Sequence, residues 1–293
     1  MGRYLTLIFL FSFLISKAQF FKEQANPTNF YFRYINLSFI YEHKVKSIST
    51  EYSYKEDNQR IINYGISEKI IFSAEGFPER KIRISNSDTV ETFYYFLRKN
   101  ISILREFSSV GITTIYFSYD SLGNKTKEVH CKEKNASSSK QYFYLLKQQI
   151  EWSETYTYQN LSKKQIRKKT FNDSGAEYKD AILYLDDNMN YTEESERFSV
   201  TGVSQNWKYM YDASGNIIEK NFFTDVVGVL EEKSTFTYDN RRNITGEKFY
   251  RNGILKQEKI YFYDVKNEFP QAVLTKYPDR KTIDLQNILI EFF

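Results

Sequence analysis

The sequence predicts an all-β fold: an antiparallel meander of about 25-residue double-strand repeats forming a curved extended sheet. Aromatic residues alternate with polar ones at a period of two. One turn signature recurs between such runs, and no stretch carries a convincing 3.6-residue period.

The first residues set the expected compartment. After Arg3 an apolar stretch runs from Tyr4 to Ile15, too short to cross a bilayer as a helix, and Ser16 and Ala18 flank Lys17 in a small-x-small pattern. This is the layout of a signal peptide over residues 1–18, with cleavage after Ala18. Residues 19–293 are then a single β-repeat domain, secreted, periplasmic or held at the cell surface. No later segment has the ~18 unbroken apolar residues of a membrane-spanning helix.

Composition narrows the function classes. The chain has 25 Tyr and 25 Phe, whose flat rings favour a pleated, half-buried surface. Only 4 Pro occur and no Gly/Ser-rich linker is visible, so no domain boundary is signalled. Lys plus Arg total 41 against 37 acids, and losing Arg3 and Lys17 leaves 39. This near-neutrality removes any general attraction to nucleic acid. The single cysteine, Cys131, excludes an intramolecular disulfide and reads as a small strand residue rather than a reactive thiol.

The strands follow from alternation. Trp207, Tyr209 and Tyr211 share one face; so do Ile115, Phe117 and Tyr119, and Trp152, Glu154, Tyr156 and Tyr158. Phe236 and Tyr238 alternate with Thr235 and Thr237. The C-terminal run from Ile283 to Phe293 fits strand or helix.

The turns carry the clearest local chemistry. In Asp212-Ala213-Ser214-Gly215, Asp212 suits the first place of a type I turn, where its carboxylate accepts a backbone N–H, and Gly215 supplies the left-handed residue of a bulged hairpin. Asp120 and Gly123 repeat the arrangement. Asp264 keeps the aspartate with Asn267 at the left-handed place, and Asp239 keeps it but puts Arg242 there. Asn252-Gly253 is a strong two-residue hairpin signal. The anchors recur regularly, with Tyr184, Tyr211, Tyr238 and Tyr263 spaced 27, 27 and 25 residues apart, room for two strands and two turns each.

At these residues the chain resembles the YD repeats of the RHS family, whose motif is approximately Tyr-Asp-x-x-Gly-Asn followed by a strand. The units at Tyr119 and Tyr211 match fully and those at Tyr238 and Tyr263 in part, so the resemblance covers about residues 112–267. It implies long, curling antiparallel sheets and, in some surface proteins, carbohydrate or cell-wall contact. The Lys17-Ala18-Gln19 junction and the Tyr/Asn/Lys-rich style are also similar to exported Bacteroidetes proteins.

No catalytic, cofactor or metal residues are assigned. His130 and Cys131 are adjacent and so point to opposite sheet faces, which a nucleophile–base pair cannot do. Asp186, Asn188 and Asn190 imitate the start of a calcium loop, but Tyr191 stands where its glycine belongs and Arg197 where its glutamate belongs, leaving a polar turn. Trp152 and Trp207, as rigid amphipathic platforms, and Lys163, Arg167 and Lys169, which share one strand face, are the candidate ligand contacts. The expected function is non-catalytic binding of, or structural contact with, a glycan or an envelope protein, with no cofactor and no nucleic acid. A carboxylate-dependent hydrolase, or a carrier of apolar cargo with an aliphatic concave face, are the alternatives.

Overall fold

The computed structural model describes residues 35–86, 88–225, 230–266 and 269–293. The signal-peptide assignment, Asn267 and most of the 225–228 turn lie outside them. A short helix, α1 (Leu37–Glu42), is followed by β1 (Val45–Glu56), β2 (Ile62–Phe72), β3 (Pro78–Ser85), β4 (Asp88–Leu97), β5 (Asn100–Ser108) and β6 (Gly111–Tyr119). Then come β7 (Lys125–Asn135), β8 (Leu145–Ser162), β9 (Gln165–Phe171), β10 (Glu177–Leu185), β11 (Tyr191–Phe198) and β12 (Ser204–Tyr211). The last six are β13 (Ile217–Thr224), β14 (Leu230–Tyr238), β15 (Ile244–Arg251), β16 (Ile254–Tyr263), β17 (Pro270–Lys276) and β18 (Thr282–Phe292).

Each strand pairs antiparallel with the next, so the chain is an all-β meander. The sheet does not stay open. β18 pairs with β1 over its whole length, from Val45↔Phe292 to Glu56↔Thr282, closing an 18-stranded barrel. This corrects the curved extended sheet expected from the sequence. It also overturns the RHS-type YD-repeat reading, because the repeats here wrap into a ring that ends on its own first strand. The run from Ile283 to Phe293, ambiguous by pattern, is the closing strand.

Closure has a local cause in the turns. Alternation of strand direction brings every turn that follows an even-numbered strand to one rim. There, Asp120 Oδ1 accepts from Leu122 N (2.9 Å) and Asn124 N (2.8 Å), and Asp212 and Asp239 repeat the pattern. Gly123 and Gly215 sit at φ +87° and +80°, and Arg242 at +68°. A register shift lies beside each of these turns, at Ser118/Tyr119, Met210/Tyr211 and Thr237/Tyr238, and beside Asp264 at Phe262/Tyr263. Bulges bend and twist the strand that carries them, so bulges repeated at one rim curl the sheet consistently in one sense.

Tyrosines fasten successive turns of that rim. Tyr119, Tyr158, Tyr211, Tyr238 and Tyr263 each donate a hydroxyl hydrogen bond to a carbonyl of the neighbouring strand, at Ile101, Lys125, Tyr191, Ile217 and Ile244. The bonds are 2.6–3.1 Å long. Burial pushes the Tyr119 and Tyr211 hydroxyls up to about 12, with nearby carboxylates adding to the rise.

Burial identifies the inner face. Ala181, Leu183 and Leu185 on β10, Tyr209 on β12, and Val273 and Thr275 on β17 are buried, while their sequence neighbours are more exposed. Strand register carries that face around the ring. At the turn-lined rim, α1 inserts Phe39 and Ile40 among inner residues Ile48, Ile70, Phe72, Tyr94, Ile101 and Leu104, forming the largest apolar cluster among the described residues. Asn36 caps the helix by accepting from Ser38 N. The helix packs so closely on the β2–β3 turn that a Cβ at Gly76 would lie 2.7 Å from that of Tyr41.

The outer face carries cross-strand ion pairs, with exposed apolar side chains such as Met210, Phe262 and Leu289 among them. Arg167 pairs with Asp180 (2.7 Å), Lys233 with Glu219 (2.7 Å) and Lys248 with Glu258 (3.5 Å), all across neighbouring strands. Over β4–β7 it is covered by the β7–β8 connection, whose Phe143 ring lies 3.6 Å from the Arg105 guanidinium. Beneath it Arg105 meets Glu133 at 3.0 Å and Thr114 donates to the same carboxylate at 2.6 Å. Burial pushes Glu133 up, but Thr114, Tyr116 and Arg105 more than offset this and hold it below its ordinary range.

Candidate functional site

Two-residue alternation places one set of side chains from β12 to β16 on the inner wall, and there the wall opens into a groove of about 310 Å³. Trp207, Phe222, Phe236 and Phe249 supply its aromatic surface, and Lys220, Glu232, Ser234, Glu247, Gln257 and Lys259 its polar groups. The register explains this mixture. Trp207 faces Phe222, Ser234 faces Phe249, Phe236 faces Glu247 and Glu247 faces Lys259, so aromatic and polar side chains are interleaved within each cross-strand row.

The groove is internally organised. The Trp207 and Phe222 rings lie 4.2 Å apart between centroids, inclined at 34°. The Lys220 ammonium sits 4.6 Å from the Trp207 ring. Lys259 and Glu247 form an ion pair at 2.9 Å, and the Tyr261 hydroxyl donates to the same carboxylate at 3.2 Å. Glu232 pairs with Arg251 at 2.7 Å. Each carboxylate therefore has a cation beside it, and what the groove presents is flat aromatic area edged by oriented donors and acceptors.

Further round the inner wall is a second polar cluster. Trp152 stacks on His130 at 3.6 Å, and His130 Nε2 lies 2.6 Å from Glu128. Glu128 stands directly opposite Glu154 in the β7–β8 register. Glu128 pairs with Lys125, Glu154 accepts from the Tyr156 and Tyr178 hydroxyls, and Tyr156 also reaches Glu128 at 3.4 Å. Burial raises Glu128, but Lys125 and His130 more than offset this and leave it lowered. Nearby, burial and Glu196 raise Glu194, and burial lowers Lys168. A hydrolytic pair needs one carboxyl kept protonated beside one kept ionised. Here Lys125 and His130 favour the charged form of Glu128, and Glu154 is engaged by two tyrosine hydroxyls, the arrangement of a structural network.

The sequence candidates therefore separate. Trp207 lies in the groove, and Trp152 lies on the inner wall against His130. Arg167 and Lys169 face outward and are engaged, Arg167 with Asp180 and Lys169 with Glu177 at 2.7 Å. Lys163 is exposed in the β8–β9 turn. The three make no free cationic row. Cys131 is buried, and burial with Glu133 and Glu151 raises its thiol. Asn252 and Gly253 take φ +49° and +75° in the β15–β16 turn, and Asn252 Oδ1 accepts from Glu231 N at 2.9 Å. Asp264 Oδ1 accepts from Phe269 N at 3.2 Å. The polar stretch at Asp186 is a turn of the rim type: Asp186 accepts from Asn188 N and Asn190 N, with Met189 at φ +63°. Sequence reading missed Phe222, Phe249, Glu247 and Lys259. Their even spacing along β13, β15 and β16 was a usable signal, but only the register shows that they meet Trp207.

No protein-family model matches the chain, and no curated protein matches it. Among solved structures it is similar to a porin-like protein from Bacteroides uniformis, at 10% identity and a TM-score of 0.38, over 84% of this chain and 98% of that one. A porin-like protein from Bacteroides vulgatus is similar at 9% identity and a TM-score of 0.35, over 83% of this chain and 97% of that one. Likenesses this distant say nothing of what the chain binds or does.

Proposed function

We propose that the protein is a non-catalytic binding barrel of the cell envelope, exported by cleavage after Ala18 and folded as one unit over residues 19–293, which takes a glycan against the inner wall of β12–β16. The observation that carries this reading is the groove itself, where Trp207, Phe222 and Phe249 lie among ion-paired and amide groups. A sugar ring offers an apolar C–H face for stacking and a rim of hydroxyls for hydrogen bonding, and this wall supplies partners for both.

Two other ligand readings fit the wall less well. Apolar cargo calls for an aliphatic concave face, and the aliphatic inner residues Ile48, Ile70, Ile101 and Leu104 are already packed into the α1 cluster. Lipid around the outside disagrees with the ion pairs of the outer wall. The pairs Arg167–Asp180, Lys233–Glu219 and Lys248–Glu258 would put charges against hydrocarbon, at about 2–4 kcal/mol for a cation near the bilayer midplane. No helix among the described residues is long and apolar enough to cross a membrane.

Calorimetric titration of the purified protein with neutral and acidic oligosaccharides tests the reading. Saturable binding is expected for at least one glycan, with Trp207→Ala weakening it at least about tenfold, as loss of a packed aromatic anchor does. Binding of fatty acids but no glycan, or glycan binding indifferent to Trp207, would overturn it.

A further inference from the structure

β8 outruns its neighbour. Its pairing with β9 begins at Thr155↔Phe171, whereas its pairing with β7 continues up to Asn135↔Leu145. Along Leu145–Glu154 one edge of β8 is bonded to β7, and no strand among the described residues pairs with the other. An unpaired edge offers a row of backbone donors and acceptors, the template for adding a further strand. Its side chains are also open to water. Every residue from Leu145 to Trp152 is exposed, including Leu146 at 68% and Ile150 at 62%. Burying those two would remove apolar surface from water on a part of the molecule that barrel closure does not need.

We infer that this edge is a dimerisation strand, and that two copies of the chain join β8 to β8 antiparallel about a two-fold axis at Gln148. The segment is self-complementary in that register. Leu146 of one copy falls opposite Ile150 of the other, and the symmetry makes the contact twice. Ile150 lies on the face that carries Gln148, since residues two apart on a strand share a face, and Leu146 is the extra residue of the β7–β8 register shift at Lys134/Asn135, open to water beside them. Lys147 falls opposite Gln149, so no like charges confront each other, and Glu151 keeps its own partner in Lys132. Shifting the register by one residue would set Leu146 against Gln149 or Glu151 and break both Leu146–Ile150 contacts. The joined strands would continue the sheet of one barrel into the next and bury the edge of each.

Sedimentation velocity on the purified full chain tests this, with unfolding curves to establish that each variant is folded. Wild type is expected to be a concentration-dependent dimer. Leu146→Lys combined with Ile150→Lys sets lysine against lysine in both symmetric contacts and should weaken dimerisation at least about tenfold. Leu146→Glu combined with Ile150→Lys sets opposite charges across the same two contacts and should restore the dimer. Val110→Lys, an exposed apolar residue of the β5–β6 turn, should leave it unchanged. In a Cys131→Ala background, Gln148→Cys should cross-link copy to copy on mild oxidation, because the axis passes between the two residues. A monomeric wild type, an undiminished double-lysine dimer, or a folded Glu/Lys variant that stays monomeric would each overturn the proposal.

Discussion

Two arcs of the inner wall do different work. At the turn-lined rim of β1, β2 and β5 the inward side chains Ile48, Ile70, Ile101 and Leu104 are aliphatic, and α1 fills the space before them with Phe39 and Ile40. From β12 to β16 the same inward positions carry Trp, Phe, Lys and Glu, and no segment of the described chain fills the space in front of them. Strand geometry and closure are shared, so the difference lies in the inward side chains and in the helix that covers one arc. One arc supplies the burial that holds the barrel at its turn-lined rim, and the other remains available to a ligand. Substitutions in the two arcs should accordingly separate stability from binding.

The largest effect is expected in the filled arc. Ile40 is fully buried, so Ile40→Ala removes packed volume that the surrounding strands cannot fully recover, and should lower unfolding free energy by about 2–5 kcal/mol. Chemical denaturation measures it. An equal loss from Phe249→Ala in the open arc would erase the contrast between the two.

Next come the turns that curl the sheet. Gly215 and Gly123 both take positive φ, and a β-branched side chain there collides with its own backbone, so Gly215→Val and Gly123→Val should each cost about 1–3 kcal/mol. Space is not the issue, since a Cβ at Gly215 would meet nothing within 4 Å. Thermal unfolding of both variants decides whether the conformation alone carries the cost.

Acid should act on the same rim. Hydrogen bonds from Asn124 and Asn190 hold the Asp120 and Asp186 carboxyls below their ordinary 3.8, and Asp212 is lowered by Asn216 and Ser214 against the opposing effect of burial. A carboxylate whose folded value is depressed contributes stability above its unfolded value, and that contribution disappears as pH falls through the folded one. Unfolding temperature should therefore be insensitive to these turns near neutrality and decline from about pH 4 downward. Asp212→Asn, which keeps an acceptor and removes the charge, should flatten that part of the decline.

The smallest effect is expected at Arg242, which occupies with φ +68° the place that glycine holds in sister turns. Arg242→Gly relieves local strain while giving the unfolded chain more freedom, so the melting temperature should stay level or rise slightly. A clear drop would mean that the Arg242 side chain supports its turn in some further way.

How far the sequence reveals this molecule depends on the range of each interaction. Period-two alternation around Trp207 and Tyr119 is a local property, and so is the Asp-x-x-Gly turn, which needs only a short acceptor and a residue that tolerates positive φ. The barrel is not local. Nothing in Val45–Glu56 or Thr282–Phe292 taken alone says that they are partners, because their pairing depends on curvature accumulated over every intervening hairpin. α1 escaped notice for a related reason: six residues are too few to show a helical period, and Phe39 and Ile40 look the same in a strand. In the groove, Trp207 stands out by its type, whereas Glu247 and Lys259 become a pair only through the β15–β16 register. The outward basic residues mislead in sequence because their partners, Asp180 and Glu177, lie across a turn on the next strand.

The central claim, that the open aromatic arc is where a ligand lies, is tested most directly by the emission of Trp207. The chain has two tryptophans, so Trp152→Phe leaves Trp207 as the sole reporter, tilted against Phe222 and beneath Lys220. Titrating that variant with the oligosaccharides that bind in calorimetry should give a saturable shift in Trp207 emission with the same affinity, abolished by Phe222→Ala and retained in Ile150→Lys. Glycan binding that leaves Trp207 emission unmoved would contradict the assignment of the β12–β16 wall as the site.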